Sequence, residues 1–241
     1  MKIAQKTILI TGANRGIGHA LILEALQRGA KRVYAGTRGT LDIADERVTP
    51  VTLDVTNDAQ IEQAVHAVGC LDVLVNNAGI APYDDLRDPH VIEQALAVNF
   101  FGMYKVSRAF LPMLKRSKGA VVNNLSLMAL APLPLTPSYA ISKAAALSMT
   151  QSLRALLTAH NVSVHGVFLG PVDTDMTRGF EIPKASPESV AQGIFDGLEN
   201  GEEDIFPDPM SRSIEEGWRN SVAKQFERQY AGFVSESAAA L

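Results

Sequence analysis

Short runs of apolar and β-branched residues alternate with longer stretches of helical spacing from one end of the chain to the other. The runs Thr7–Ile10, Arg32–Gly36, Thr49–Leu53, Val73–Val75, Ala120–Leu125, Val162–Phe168 and the short Asp204–Phe206 read as strands. Their apolar positions run on instead of alternating, as expected of strands covered on both faces. Between them the spacing predicts helices over Ile17–Arg28, Asp58–Val68, Val91–Leu114, Tyr139–Ala159 and Pro187–Glu199, the third broken near Asn99. Gly29 can close the first helix in the left-handed conformation. Ser186-Pro187 reads as a cap followed by proline at the first helical position. Strand and helix in alternation imply βαβ crossovers. The expected fold is α/β: a doubly wound parallel sheet of about seven strands, helices on both faces, as one domain over residues 1–241. Ala131–Pro137 reads as a loop that shapes a site. The tail, about residues 212–234, carries an apolar helical stripe (Ile214, Trp218, Val222, Phe226, Tyr230) able to pack on the domain or on a second subunit. The end, Ala238–Leu241, is expected to fray.

Composition narrows the function classes. The 241 residues are 46% hydrophobic with net charge −4, so no basic field draws nucleic acid or anionic lipid. One cysteine, Cys70, excludes an internal disulfide framework. His19, His66, His90, His160 and His165 show no ligand spacing, so no metal site is expected. No apolar run is long enough for a membrane span. Met1–Lys6 leads straight into a strand, leaving no room for a signal peptide, and a cytoplasmic location is expected.

The first strand–helix junction reads Thr11-Gly12-Ala13-Asn14-Arg15-Gly16-Ile17-Gly18. Glycines there permit a tight turn and close approach to a pyrophosphate, which the following helix N-terminus attracts. The spacing, G-x-x-x-G-x-G, differs from the commoner dinucleotide fingerprint. After the second strand, where an NAD site usually carries an acid, this chain has Thr37 and Arg38, with Arg15 facing the same region. Two guanidinium groups without that carboxylate suit a 2′-phosphate and point to NADP(H); ordinary solvated surface charge is the plainer alternative. Asp54, followed by Val55, either accepts from an adenine amino group or caps the next helix. Asn76-Asn77-Ala78-Gly79 either lines the cofactor cleft or simply ends its strand in a turn.

Tyr139 and Lys143 stand four apart and share a helix face. A free phenol titrates near 10, and a neighbouring ammonium is expected to bring it toward neutrality. Ser126 emerges where the strand Ala120–Leu125 ends, at the carboxyl edge where open α/β sheets bind ligands. A serine and a tyrosine on one carbonyl oxygen can stabilise the alkoxide that hydride transfer creates.

Together these motifs resemble the compact single-domain short-chain dehydrogenase/reductases, a Rossmann-type family. The matches are Thr11-Gly12-x3-Gly16-x-Gly18, Asn76-Asn77-Ala78-Gly79, Asn99, Ser126, Tyr139-x3-Lys143 and Gly170-Pro171-x2-Thr174, in family order. The resemblance implies that Ser126 orients the carbonyl, Tyr139 exchanges its proton, and Lys143 binds the nicotinamide ribose and lowers the phenol pKa. Asn99 would distort its helix and hold a water leading from Lys143 to solvent. Thr174, with Pro171 and Val172, would fix the nicotinamide. Two departures stand out: Gly170-Pro171 reverses the usual Pro-Gly, and Leu127-Met128-Ala129-Leu130 replaces a stretch usually holding serine and glycine.

Met128, Leu133 and Met176, with Leu127, Leu135 and Phe180, are candidates for an apolar substrate wall or for ordinary core. Residues 174–185 resemble the family's substrate loop. The reading is an NADP(H)-dependent carbonyl reductase or alcohol dehydrogenase acting on a mostly apolar ketone, aldehyde or secondary alcohol. An NAD-linked alcohol dehydrogenase and a non-catalytic nucleotide sensor are its rivals. The resemblance also implies a homodimer or homotetramer.

Overall fold

The computed structural model describes residues 1–233. In chain order the elements are β1 (Thr7–Thr11), α1 (Gly16–Gln27), β2 (Arg32–Thr37), β3 (Val48–Thr52), α2 (Asp58–Val68), β4 (Val73–Asn76) and α3 (Pro89–Leu96). They continue with α4 (Met103–Ser117), β5 (Ala120–Asn124), α5 (Pro137–Leu157), β6 (Ser163–Val167), α6 (Pro187–Asn200), β7 (Asp204–Ile205), α7 (Pro209–Arg219) and α8 (Val222–Ala231). All seven strands pair in parallel, in the order β3-β2-β1-β4-β5-β6-β7.

Every residue of β1, β4 and β5 is buried, which explains their uninterrupted apolar runs. Strand alternation still divides the two faces. Ile8 and Ile10 pack with Leu21 and Ile22 of α1 and Ile194 and Phe195 of α6. Leu9 turns the other way, to Ile61 of α2 and Val106 and Phe110 of α4. The chain winds outward from β1 to β3, then returns to place β4 on the other side of β1. Strand order therefore reverses between β1 and β4, opening a crevice at their carboxyl ends.

One helical expectation is made specific and one is corrected. Val91–Leu114 is interrupted at Asn99 as expected: α3 passes into α4 through a π-helical segment, Ala97–Gly102. The buried Asn99 amide donates to the Ile80 carbonyl and the Ser142 hydroxyl, both at 2.8 Å, and accepts from the Ile80 amide at 2.9 Å. These bonds hold the wide turn in place, the distortion that the family resemblance implies. The tail is two helices instead of one, because Ser221 caps α8 by accepting from the Lys224 amide at 3.1 Å. Of the predicted tail stripe, Trp218 packs on Phe168 with ring centroids 5.3 Å apart, whereas Ile214, Val222, Phe226 and Tyr230 are exposed. Val234 and Ala238–Leu241, included in the expectations for the tail, lie outside the described residues.

Candidate active site

A cleft of about 1050 Å³ opens at the reversal point. Gly12, Asn14, Arg15, Gly16 and Ile17 form one part of its wall. Gly12 and Gly16 have φ of +63° and +52°, a region that favours glycine. A side chain on Gly12 would meet the Ala78 backbone at 2.9 Å, so the turn lies directly on the loop after β4. Gly18 is behind the wall, where a Cβ would stand 2.2 Å from the Gly12 carbonyl; it is a packing residue.

The Asn-Asn-Ala-Gly stretch holds this turn. The Thr11 hydroxyl accepts from the amides of Asn77 and Ala78 at 2.9 and 3.0 Å. The Asn77 amide group donates to the carbonyls of Thr11 and Gly12 at 3.0 and 3.1 Å, and accepts from Asn124 at 2.8 Å. Asn77, Ala78 and Gly79 also line the cleft.

Thr37, Arg38, Asp54 and Val55 form the far end. Both arginines have carboxylate neighbours: Arg38 lies 3.7 Å from Asp54, and Arg15 lies 3.1 Å from Asp175 on the loop after β6. Both guanidinium side chains remain largely exposed. The Thr56 amide and hydroxyl, assisted by Arg38, hold the Asp54 carboxyl below its usual range. Asp54 does not cap α2; Asn57 does, accepting from the Gln60 amide at 3.1 Å.

Tyr139 and Lys143 reach the cleft from the first turns of α5, which begins two residues before Tyr139, at Pro137. The Ser126 hydroxyl lies behind the cleft wall, donating to the Leu169 carbonyl at 3.5 Å and accepting from the Met128 amide at 3.1 Å. The Lys143 Nζ lies 5.7 Å from the Tyr139 ring centroid and donates to the Asn124 carbonyl at 2.6 Å. Burial pushes the phenol up to about 12, against the influence of Ser126, and pushes Lys143 down to about 8. This reverses the direction expected from the sequence for the phenol. Desolvation acts on both groups at once, and for the phenol it outweighs the only opposing influence, that of Ser126.

Thr174 and Met176 line the cleft; Pro171 and Val172 do not. Val172 instead bridges Ala185, closing the base of residues 174–185. Met128 and Leu133 also lie off the cleft wall, Met128 turned toward the Thr136 hydroxyl at 3.6 Å. Among the described residues, no group of three or more His, Cys, Asp or Glu side chains could hold a metal ion. No described helix is long and apolar enough to cross a membrane.

Sequence reading missed three contributors. Asn123 and Asn124 end β5, and Asn124 supplies both the acceptor for Lys143 and the donor to Asn77. Two asparagines inside a buried strand were the available signal. Asp84 accepts from the Ser138 hydroxyl and from its amide, the latter at 3.3 Å, next to Tyr139. No local pattern marks that pair.

A family model described as short chain dehydrogenase matches residues 6–184. The chain belongs to the short-chain dehydrogenase/reductase family. An uncharacterised oxidoreductase of Staphylococcus epidermidis is 33% identical, over 82% of this chain and 90% of its own length. A 3-oxoacyl-[acyl-carrier-protein] reductase of Thermotoga maritima is 34% identical, over 80% and 84%. Mouse estradiol 17-beta-dehydrogenase 2 is also 34% identical, but this chain spans only 52% of that enzyme's length. Among solved structures, a short chain dehydrogenase from Burkholderia cenocepacia in complex with NADP matches with TM-score 0.87 and 36% identity, over 95% of this chain and 98% of that one.

Proposed function

We propose that this family member is an NADP(H)-dependent oxidoreductase that interconverts a mostly apolar ketone or aldehyde and its alcohol. The observation that carries the reading is the buried Tyr139 phenol with Lys143 beside it on the wall of a glycine-turned cleft. The cleft suits a dinucleotide: any side chain at Gly12 would fill the turn, and the buried Asn124 Oδ1 is an acceptor without a partner among the described residues. Arg15 and Arg38 would hold the 2′-phosphate. The NADP-bound Burkholderia relative supports that preference.

When bound, the nicotinamide supplies or accepts the hydride. Ser126 holds the substrate oxygen, and Tyr139 transfers its proton to that oxygen as the carbonyl carbon is reduced. A phenol pushed up to about 12 stays protonated at neutral pH, which favours reduction. Lys143, near 8, would exchange protons around neutrality and reload the phenol. Asn99 holds the π-turn and the Ile80 backbone in place. Met176 contributes apolar wall. Phe101, Tyr104 and Ile141 expose apolar surface on the helices, in keeping with a homodimer or homotetramer.

The pairing of both arginines with carboxylates favours an NAD-linked enzyme as second reading. A carbonyl panel assayed with NADPH and NADH tests both. NADPH is expected to support the faster turnover, and Tyr139→Phe to lower it by about 10²-fold or more with NADPH binding retained. Turnover unchanged in Tyr139→Phe would remove the catalytic assignment; faster turnover with NADH would establish the second reading.

A further inference from the structure

The reversed dipeptide Gly170-Pro171 has a physical counterpart at the start of α7. The Gly170 amide donates to Asp208 Oδ2 at 2.8 Å. A Cβ at position 170 would lie 2.5 Å from Asp208 Oδ1 and 3.1 Å from the Met210 Cβ, so the contact demands glycine there. Asp208 is only 1% exposed. Its other oxygen accepts from the Ser211 amide at 3.0 Å, while the Ser211 hydroxyl donates to the Asp208 carbonyl at 3.0 Å. One buried carboxylate thus ties the segment after β6 to the helix that follows β7.

That segment carries two parts of the cleft. The Leu169 carbonyl accepts from the Leu127 amide at 3.0 Å and from the Ser126 hydroxyl at 3.5 Å. Further on, Pro171 and Asp173 are zipped to Ala185 by backbone bonds of 3.0 and 2.9 Å. Thr174 then meets the glycine turn, its Cγ2 standing 3.0 Å from where a Cβ on Gly16 would be. Gly170 lies between these parts, and Asp208 holds it in place.

We propose that Asp208 is a positioning residue for the cofactor cleft, acting through Gly170 to set the Leu169 carbonyl against Ser126 and Thr174 against the glycine turn. The inference rests on the dinucleotide reading above. It makes α7, which lies beyond the family-matched residues, a working part of the site.

The test compares Asp208→Ala, Asp208→Asn and Ser211→Ala with the unaltered chain. The measurements are NADPH fluorescence titration, amide hydrogen exchange across residues 169–174 without cofactor, and kcat and KM for an active carbonyl. Asp208→Ala is expected to weaken NADPH binding about tenfold, to speed exchange at 169–174, and to lower kcat with little change in carbonyl KM. Ser211→Ala loosens the helix start alone and is expected to lower Tm while leaving NADPH binding and that exchange unchanged. An Asp208→Ala protein that binds NADPH like the unaltered chain overturns the proposal. So does a Ser211→Ala protein that loses binding to the same extent. If Asp208→Ala fails to fold, Asp208→Asn decides on the same criteria, since an amide oxygen cannot serve both Gly170 and Ser211 as a carboxylate does. If the unaltered chain binds neither NADPH nor NADH, the dinucleotide reading fails on its own, and exchange at 169–174 alone decides whether Asp208 holds the segment.

Discussion

Lys143 carries the clearest conflict between stability and function. It is 4% exposed, and burial pushes its ammonium from 10.5 down to about 8. Between those values the unfolded chain keeps a proton that the folded chain has released, so this site's stability contribution rises with pH. Below about 8 the folded chain bears the full cost of a buried ammonium, on the order of 3 kcal/mol. Stability of the unaltered chain relative to Lys143→Met is therefore expected to grow from pH 8 to pH 10, measured by urea denaturation at each pH. A pH-independent difference would show that the ammonium is not desolvated. Arg38 carries a second prediction at this scale. Arg38→Ala is expected to lower kcat/KM for NADPH at least about tenfold and to leave the NADH value nearly unchanged. Equal losses with both cofactors would mean that Arg38 serves only its pairing with Asp54.

Among the elements, α8 is the least expected. Its exposed stripe of Val222, Phe226 and Tyr230 does not pack on the sheet; its buried lysine does. Lys224 Nζ lies 2.8 Å from Asp204, 2.9 Å from Glu227 and 3.1 Å from Glu203. Arg154 of α5 also reaches Asp204, at 2.7 Å. Burial works against the Asp204 charge, but Arg154 and then Lys224 hold its carboxyl below the usual range. Removing one partner from such a group leaves a charge buried and uncompensated. Lys224→Ala is expected to cost about 3–5 kcal/mol in chemical denaturation. A loss under about 1 kcal/mol would mean the cluster behaves as surface ion pairs do.

At the scale of the whole molecule, the parallel sheet covers its strands with α1 and α6 on one face and α2 and α4 on the other. Phe101, Tyr104 and Ile141 are left 50%, 43% and 41% exposed. Light scattering is expected to report a multiple of the 25.9 kDa chain, and Phe101→Glu to shift it toward the single-chain mass. A single-chain mass for the unaltered protein at working concentration would show that these side chains serve no self-association.

The glycine turn, the Tyr139–Lys143 pair and the alternation of strand and helix were legible because each depends on neighbours within a few residues. Turn geometry, helix periodicity and two-sided burial leave local marks in the chain. Only folding decided how Asn124 meets both Lys143 and Asn77, how Asp84 meets Ser138, and how Asp208 meets Gly170. Those partners are far apart in sequence, and no spacing rule links them. The Tyr139 phenol shows the same limit: its neighbouring lysine could be read from the sequence, but the burial that sets the direction of its shift is a property of the packed molecule.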